Sequence, residues 1–337
     1  MLFRKPAYYD KFRCTADKCS DNCCIGWEID IDADTNDYYS AVTGNFGKRL
    51  SDNIRDGSFI LAENERCPFL NSRNLCDIYT TLGEEHLCQI CTDHPRFFEW
   101  FGSVKEGGLG LCCEAAARLI LSEDFTLTES EINETPDNDY ELYPFLFSAR
   151  EIIIDSLQNS PINSAISKML DFADELQYRL DTEDYTLPPI EHSVTPAYPD
   201  ISDIMRVFAE LEPIDENWKP YIENCADAPD MPLDFILQNQ EYLRRIAVYY
   251  IYRFFLKGIF DGDVLSKIKL ASVCTWFIAR LWYCESLKQK LSFEDMVQIA
   301  KNFSKEVEYS EKNLDTLTDV FCFDENFSIE KISGLFS

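Results

Sequence analysis

Residues 234–258 read DFILQNQEYLRRIAVYYIYRFFLKG. Apolar side chains recur there at spacings of three and four, from Phe235 and Ile236 through Leu243, Ile246 and Tyr250 to Phe254. That spacing predicts a strong amphipathic helix. Downstream, residues 266–287 are apolar almost all round, which predicts a helix at the centre of a core. Ser292 followed by Asp295 reads as a capping box that opens a third helix, to about Val307.

Upstream the pattern loosens. Residues 141–180 show helical periodicity, in runs at 142–146, 152–157 and 166–180. Residues 181–232 hold eight of the fourteen prolines among many acids, so the chain is expected to be irregular there, with one short helix near 201–211. Residues 125–140 are polar and acidic, include Pro136, and read as a linker. Residues 113–121 (CEAAARLIL) start a helix, because Ala, Arg and Leu favour one. Before them lie short segments punctuated by Cys, Asp, Asn, Gly and Pro. Residues 27–31 (WEIDI) alternate like a strand, 38–55 suit a helix, and 58–62 suit a second short strand. The chain shows no repeat and no low-complexity run.

The expected fold is mainly α. A Cys-rich region at 1–120 with short strands packs on an irregular helical domain at 121–337, whose middle segment, 181–232, is acidic and Pro-rich. The length of 337 residues suits two parts. A composition 46% apolar and 27% charged is globular rather than disordered. The net charge of −29 repels phosphate, so neither nucleic acid nor an anionic membrane is expected as a partner. Most of that excess sits in residues 121–240, and it reads as a solvated acidic surface, with steering of a Lys-bearing partner as the alternative. Arg244, Arg245, Arg253 and Lys257 interrupt the apolar C-terminal stretch, so no membrane span is expected. The N-terminus MLFRKPAYYD lacks a secretory apolar core, so the expected location is cytoplasmic.

Ten of the fourteen cysteines fall in the first 113 residues. They form Cys14-x4-Cys19-x3-Cys23-Cys24, then Cys67 and Cys76, then Cys88-x2-Cys91 before His94, then Cys112-Cys113. In a reducing compartment, clustered thiols are metal ligands or redox groups rather than disulfides. A Cys-x2-Cys turn brings two sulfurs to one point, and soft thiolates select zinc or iron–sulfur. Adjacent cysteines such as Cys23 and Cys24 do not easily aim both sulfurs at one metal. Ten thiols exceed one four-ligand site, leaving room for a second site or for structural cysteines. His94 is a mixed-ligand candidate, with a hydrogen-bonded loop histidine as the alternative. His86 and His192 are expected to be exposed, and Trp27 to pack in the core.

Two methyl-donor patterns fail. Residues 106–110 (EGGLG) superficially match the Gly-rich loop of a dinucleotide-type fold, but no strand–helix series surrounds them. A turn entering the Cys112 helix fits better, and no Rossmann fold is expected. A radical-type CxxxCxxC fails because Gly26 takes the third place after Cys19 and Cys23.

The order of motifs at 14–27, 67–79, 91–96 and 109–118 resembles the flagellin lysine N-methylase family, whose cysteine pattern is shared with small zinc- or iron-chelating proteins. Residues 242–255 are similar to the family's C-terminal helix. The resemblance implies methyl transfer from S-adenosylmethionine to lysine side-chain amines of flagellin. It also implies a thiolate-bound cofactor, favoured as a four-iron (4Fe-4S) cluster, with zinc as the alternative. The ligand candidates are Cys14, Cys19, Cys23, Cys24, Cys67, Cys76, Cys91 and Cys112. Cys88 and Cys113 depart from the family pattern and stand second, with His94. The competing class is a non-catalytic metal- or cluster-binding protein, a chelator or redox sensor. No catalytic base is singled out by the sequence.

Overall fold

The computed structural model describes residues 1–337 except Ser20, Trp27, Asp137, Asp139, His192 and Ser193. The expectations for Trp27 and His192 therefore lie outside the described residues. Helix Leu265–Ser286 is apolar on every side and accordingly lies in the middle of the molecule. Its Ile268, Phe277, Leu281 and Trp282 have no solvent exposure. Its buried hydroxyls are bonded: Ser272 and Thr275 donate to the carbonyls of Ile268 and Ala271 one turn back, at 2.9 and 2.6 Å. Trp282 Nε1 donates to Met296 O at 3.0 Å. Helices Gln240–Phe254, Ile162–Asp181, Phe293–Glu308 and Glu311–Phe323 pack around it.

Several expectations hold, with corrected boundaries. Ser292 caps Phe293–Glu308 with both halves of the capping box formed. The stretch 234–258 is not one helix but Leu233–Gln238 and Gln240–Phe254, broken at Asn239. The Asn239 side chain bonds Phe235 O at 2.9 Å, a local alternative to the helical ladder. The irregular stretch carries Ile201–Ala209, capped by Asp200, and a further helix, Trp218–Ala226. Its Pro220 sits in the first turn, where a missing N–H costs nothing. Residues 38–55 split into Ala33–Ala41 and Gly44–Asp52. The break falls at Val42 and Thr43, both extended, before Gly44 at φ 80°.

The strands are β1 (Leu2–Pro6), β2 (Ile54–Arg55), β3 (Ser58–Phe59), β4 (Arg96–Phe101), β5 (Val104–Leu109) and β6 (Leu127–Glu131). Four of them form one mixed sheet in the order β4-β5-β1-β6, with β1 parallel to β5 and the other pairs antiparallel. No doubly wound parallel sheet occurs among the described residues. The 127–131 segment expected as linker is the polar edge strand of this sheet. Residues 106–110 are not a turn: they belong largely to β5. Gly107 and Gly108 make room for aromatic rings, since an added Cβ would come within 2.8 Å of Phe3 and 2.2 Å of Phe97. Of the strand expected at 27–31, only a single bridge forms among the described residues, between Asp30 and Ser58.

There are two hydrophobic cores. The larger joins the sheet to the helices. The smaller is built from residues between β1 and β4: Ile29, Ile31, Tyr39, Leu50, Phe59, Phe69, Leu70 and Ile78, with Cys67 and Cys88. We call the part around it the small lobe and the rest the body.

Within the body, Glu106 of β5 and Arg150 of helix Tyr143–Asn159 form a buried two-pronged ion pair, both contacts 2.6 Å. Removing one partner of such a pair strands a buried charge at a cost of about 3–5 kcal/mol. Arg150→Met should lower the urea midpoint accordingly. Combined with Glu106→Leu, it should destabilise less than either single change.

Candidate functional site

A cleft of about 510 Å³ runs along the seam between the small lobe and the body. Asp30, Asp32, Gln89 and Asp93 line the lobe side; Phe97, Cys112, Arg253 and Tyr309 line the body side; His94 and Arg96 join them. Asp32 fixes the lobe wall. It caps Ala33–Ala41 through Thr35 N at 3.0 Å and accepts from Gln89 N at 2.8 Å, the first residue of Gln89–Asp93. Burial works to raise its pKa, but these backbone donors outweigh it and hold the carboxyl below its ordinary range.

The body wall rests on Glu308, the last residue of Phe293–Glu308. Its carboxylate accepts from Tyr249 at 2.6 Å and Tyr250 at 2.9 Å, and pairs with Arg253 at 2.7 Å. Burial pushes both phenols well above the ordinary tyrosine value. Burial works against the Arg253 charge, yet Tyr249 and Glu308 outweigh it and raise its pKa. Tyr249 also accepts from Leu111 N at 3.1 Å, which places the loop carrying Cys112.

Tyr309 stands at the mouth. Its hydroxyl lies 3.1 Å from Cys112 Sγ and 3.0 Å from His94 Nδ1. Burial pushes the Cys112 thiol up to about 12. Burial first, then the Arg96 and Lys305 charges, brings His94 down to about 4, so its ring is neutral at pH 7. His94 thus sits in the turn after Gln89–Asp93 with its Nδ1 in hydrogen-bond reach of Tyr309. His86 is half-buried rather than exposed, because its ring stacks on Tyr38 at 4.0 Å.

None of the fourteen cysteines is in a disulfide. Those of the first 113 residues fall into two groups. Cys24, Cys67, Cys76, Cys88 and Cys91 all pack in or against the small-lobe core. Cys67 N donates to Cys24 O at 2.8 Å, and the Cys88 and Cys91 sulfurs are 3.3 Å apart. Cys88, which stands second on family pattern, is therefore central in this structure. Burial holds Cys67 up at about 11 and raises Cys76 as well. Cys14, Cys19, Cys23 and Cys113 lie outside that core; Cys113 packs against the larger core, and Cys19 Sγ lies 4.0 Å from Glu114 Oε2. Cys112 joins neither group, since its sulfur bonds Tyr309. Among the described residues, no three Cys, His, Asp or Glu side chains stand close enough together to clasp a metal ion as they are.

Arg253, Glu308 and Tyr309 are absent from the sequence-derived candidates. The available signal is a charge inside an apolar stripe, Arg253 one turn after Tyr249. No helix among the described residues is long and apolar enough to cross a membrane.

Residues 150–335 match the family model described as the FliB lysine N-methylase C-terminal domain. The chain belongs to that family. The match includes Arg253, Glu308 and Tyr309 and excludes every N-terminal cysteine. The chain is 25% identical over 264 residues to the lysine-N-methylase of Salmonella typhimurium, covering 72% of this chain and 62% of that protein. The Salmonella choleraesuis lysine-N-methylase matches equally, at 25% over 264 residues. The flagellar biosynthetic protein FliU of Salmonella muenchen is 28% identical over 132 residues, 35% of this chain and 76% of that one. The chain thus spans 62% of the length of the curated lysine-N-methylases it matches. No solved structure matches it.

The depressed His94 pKa predicts a pH effect. The unfolded chain takes up a proton near 6.5 and the folded one only near 4. The His94 contribution to stability is therefore full above about pH 6.5 and is lost as pH falls toward about 4. Denaturant midpoints of wild type and His94→Gln should show a weaker acid loss in the variant over that window.

Proposed function

We propose that this chain methylates lysine side-chain amines of flagellin, with S-adenosylmethionine as donor. The observation that supports it best is the family match, which includes the cleft residues Arg253 and Tyr309 and the Glu308 carboxylate that holds Arg253. The relatives named for lysine methylation and flagellar biosynthesis point to the same substrate class.

The reaction is a displacement. The neutral lysine nitrogen attacks the sulfonium methyl carbon; an N–C bond forms, the C–S bond breaks, and the thioether leaves with the electron pair. The amine must first lose a proton, and donor and acceptor must be held in line. The cleft suits both demands. Asp30, Asp32 and Asp93 on the lobe wall attract an ammonium. Arg96 and Arg253, which line the same cleft, disfavour a second positive charge, so an amine brought beside them is driven toward its neutral form. The same cations suit the carboxylate of an amino-acid donor, and the Tyr309 hydroxyl offers the amine a hydrogen-bond partner.

The small-lobe thiols would hold a resident cofactor only after their side chains turn inward, since no three of the described Cys, His, Asp or Glu side chains converge as they are. Four of Cys24, Cys67, Cys76, Cys88 and Cys91 supply the soft donors that a four-iron cluster or a zinc ion takes. In a tetrahedral thiolate site the sulfurs sit about 3.8 Å apart, and the Cys88–Cys91 pair is already within that distance at 3.3 Å. Such a group would supply a thiolate-anchored scaffold that fixes the lobe wall of the cleft.

The test is incubation of the purified, metal-loaded chain with methyl-labelled S-adenosylmethionine and unmethylated flagellin. Label should appear on flagellin lysines, and Tyr309→Phe should slow its appearance roughly tenfold or more while leaving the fold intact by circular dichroism. Absence of both label and saturable donor binding would instead identify a non-catalytic thiol protein.

A further inference from the structure

Strand β4 forms one edge of the mixed sheet, with β5 as its only neighbour among the described residues. Its ladder places Arg96 opposite Leu109, and just beyond that pair Gly110 N donates to Pro95 O at 2.7 Å. Bonded and unbonded pairs alternate along an antiparallel ladder. Pro95, Phe97, Glu99 and Phe101 are therefore the residues that bond to the β5 side. Arg96, Phe98 and Trp100 turn their N–H and C=O groups the other way, out of the sheet. Among the described residues, no backbone hydrogen bond from another segment reaches these three.

Natural sheet edges are guarded by charges, a proline, a bulge or a covering segment. The opposite edge, β6, is guarded in this way, with Glu129 and Glu131 exposed along it. β4 pairs with β5 over six consecutive residues without a bulge, and it contains no proline. Its acid, Glu99, is engaged by Lys257 at 2.9 Å, and its Arg96 lies back over the Phe12 ring at 5.0 Å. Glu134 reaches the Trp100 indole but no backbone group of β4. On the outer face the Phe98 ring stands between Phe3 and Trp100, with centroids 6.3 and 6.2 Å away, and Trp100 is exposed. This edge also runs directly into the cleft, because Arg96 and Phe97 belong to both. The Phe97 ring lies 5.0 Å from the Arg253 guanidinium carbon.

We propose that the free edge of β4 takes an extended, lysine-bearing segment of the protein substrate as a fifth strand of the sheet. Main-chain bonds to Arg96, Phe98 and Trp100 supply the affinity, and alternate side chains supply the specificity. Side chains alternate across a strand, so a lysine seated opposite Phe97 turns the same way as Phe97, into the cleft. There Asp30, Asp32 and Asp93 match its charge. Its two neighbours in the segment turn to the other face, beside Arg96 and the Phe98 ring. The net charge of −29 suits a basic occupant and opposes edge-to-edge pairing of two copies of this chain. The substrate lysine is then taken from extended chain and not from a helix, whose backbone groups are already spent on one another. The identity of the occupant rests on the methylation reading, but strand pairing itself is tested without methyl transfer.

The experiment mixes the metal-loaded full chain, without methyl donor, with a flagellin peptide about ten residues long carrying a central lysine. Affinity is read by fluorescence anisotropy, and amide exchange over residues 96–101 by mass spectrometry. Exchange there should slow when the peptide binds. Peptides N-methylated on every second backbone nitrogen should lose affinity about tenfold or more in one of the two phases and keep it in the other. Phe98→Pro removes one outward N–H and leaves the ladder to β5 intact, so it should weaken binding by a similar factor. Phe98→Leu keeps that N–H and should bind like wild type. Equal affinity for both methylated phases, unchanged exchange over 96–101, or no binding at all overturns the fifth strand. So does a wild-type dimer with those amides already protected, which would give the edge to a second copy. Peptide pairing without label transfer to flagellin keeps the edge and sinks the methylation reading; label transfer without pairing does the reverse.

Discussion

A single buried carboxylate organises the body side of the cleft. Glu308 sits at the C-terminal end of its helix, where the dipole disfavours an anion, and it is shut off from water. It is tolerable only because Tyr249, Tyr250 and Arg253, all on helix Gln240–Phe254, point their polar ends at it. Through Tyr249 the same network reaches Leu111 N and sets the path of residues 110–113. Three segments far apart in sequence are thus registered by one charge. In a low-dielectric interior each of these bonds strengthens the others, and losing one strands the rest.

The small lobe meets this frame through a second electrostatic contact. Burial opposes the Asp21 charge, but Lys301 and Lys305 outweigh it and hold its carboxyl well below the usual range. Lys301 is itself buried, so the pair is shielded from salt more than a surface pair would be. The cleft width therefore follows from where helix Phe293–Glu308 presents two lysines and, one residue beyond its end, Tyr309.

The helical half was legible because its information is local. The apolar girdle of 265–286 and the Ser292–Asp295 box each lie within a few residues of the structure they specify. The place of β1 in the sheet was not legible, because its pairings join residues about a hundred or more apart: Phe3 lies opposite Lys105 and Ser130. Seen alone, LTESE is a polar linker and EGGLG a turn. Only the rings of Phe3 and Phe97 show why Gly107 and Gly108 belong in a strand. The spacing of the cysteines raised soft-ligand chemistry as an expectation, and it did not show that Cys24 would pack against the small-lobe core while Cys23 lies outside it. Arg253 read merely as a charge that breaks a membrane span, and its partner Glu308 as one acid among many.

The path of the chain has one more consequence. It leaves the sheet after β1, builds the small lobe, and re-enters the same sheet at β4. The lobe is in effect an insertion whose entry and exit are both anchored on one scaffold. Its core holds only ten buried residues, whereas the body's is continuous across sheet and helices. Such a segment is a natural cooperative unit of its own, able to open while the ladder between β1 and β5 stays closed. Amides of the lobe should then exchange through sub-global openings, while those of helix Leu265–Ser286 wait for the whole molecule to unfold.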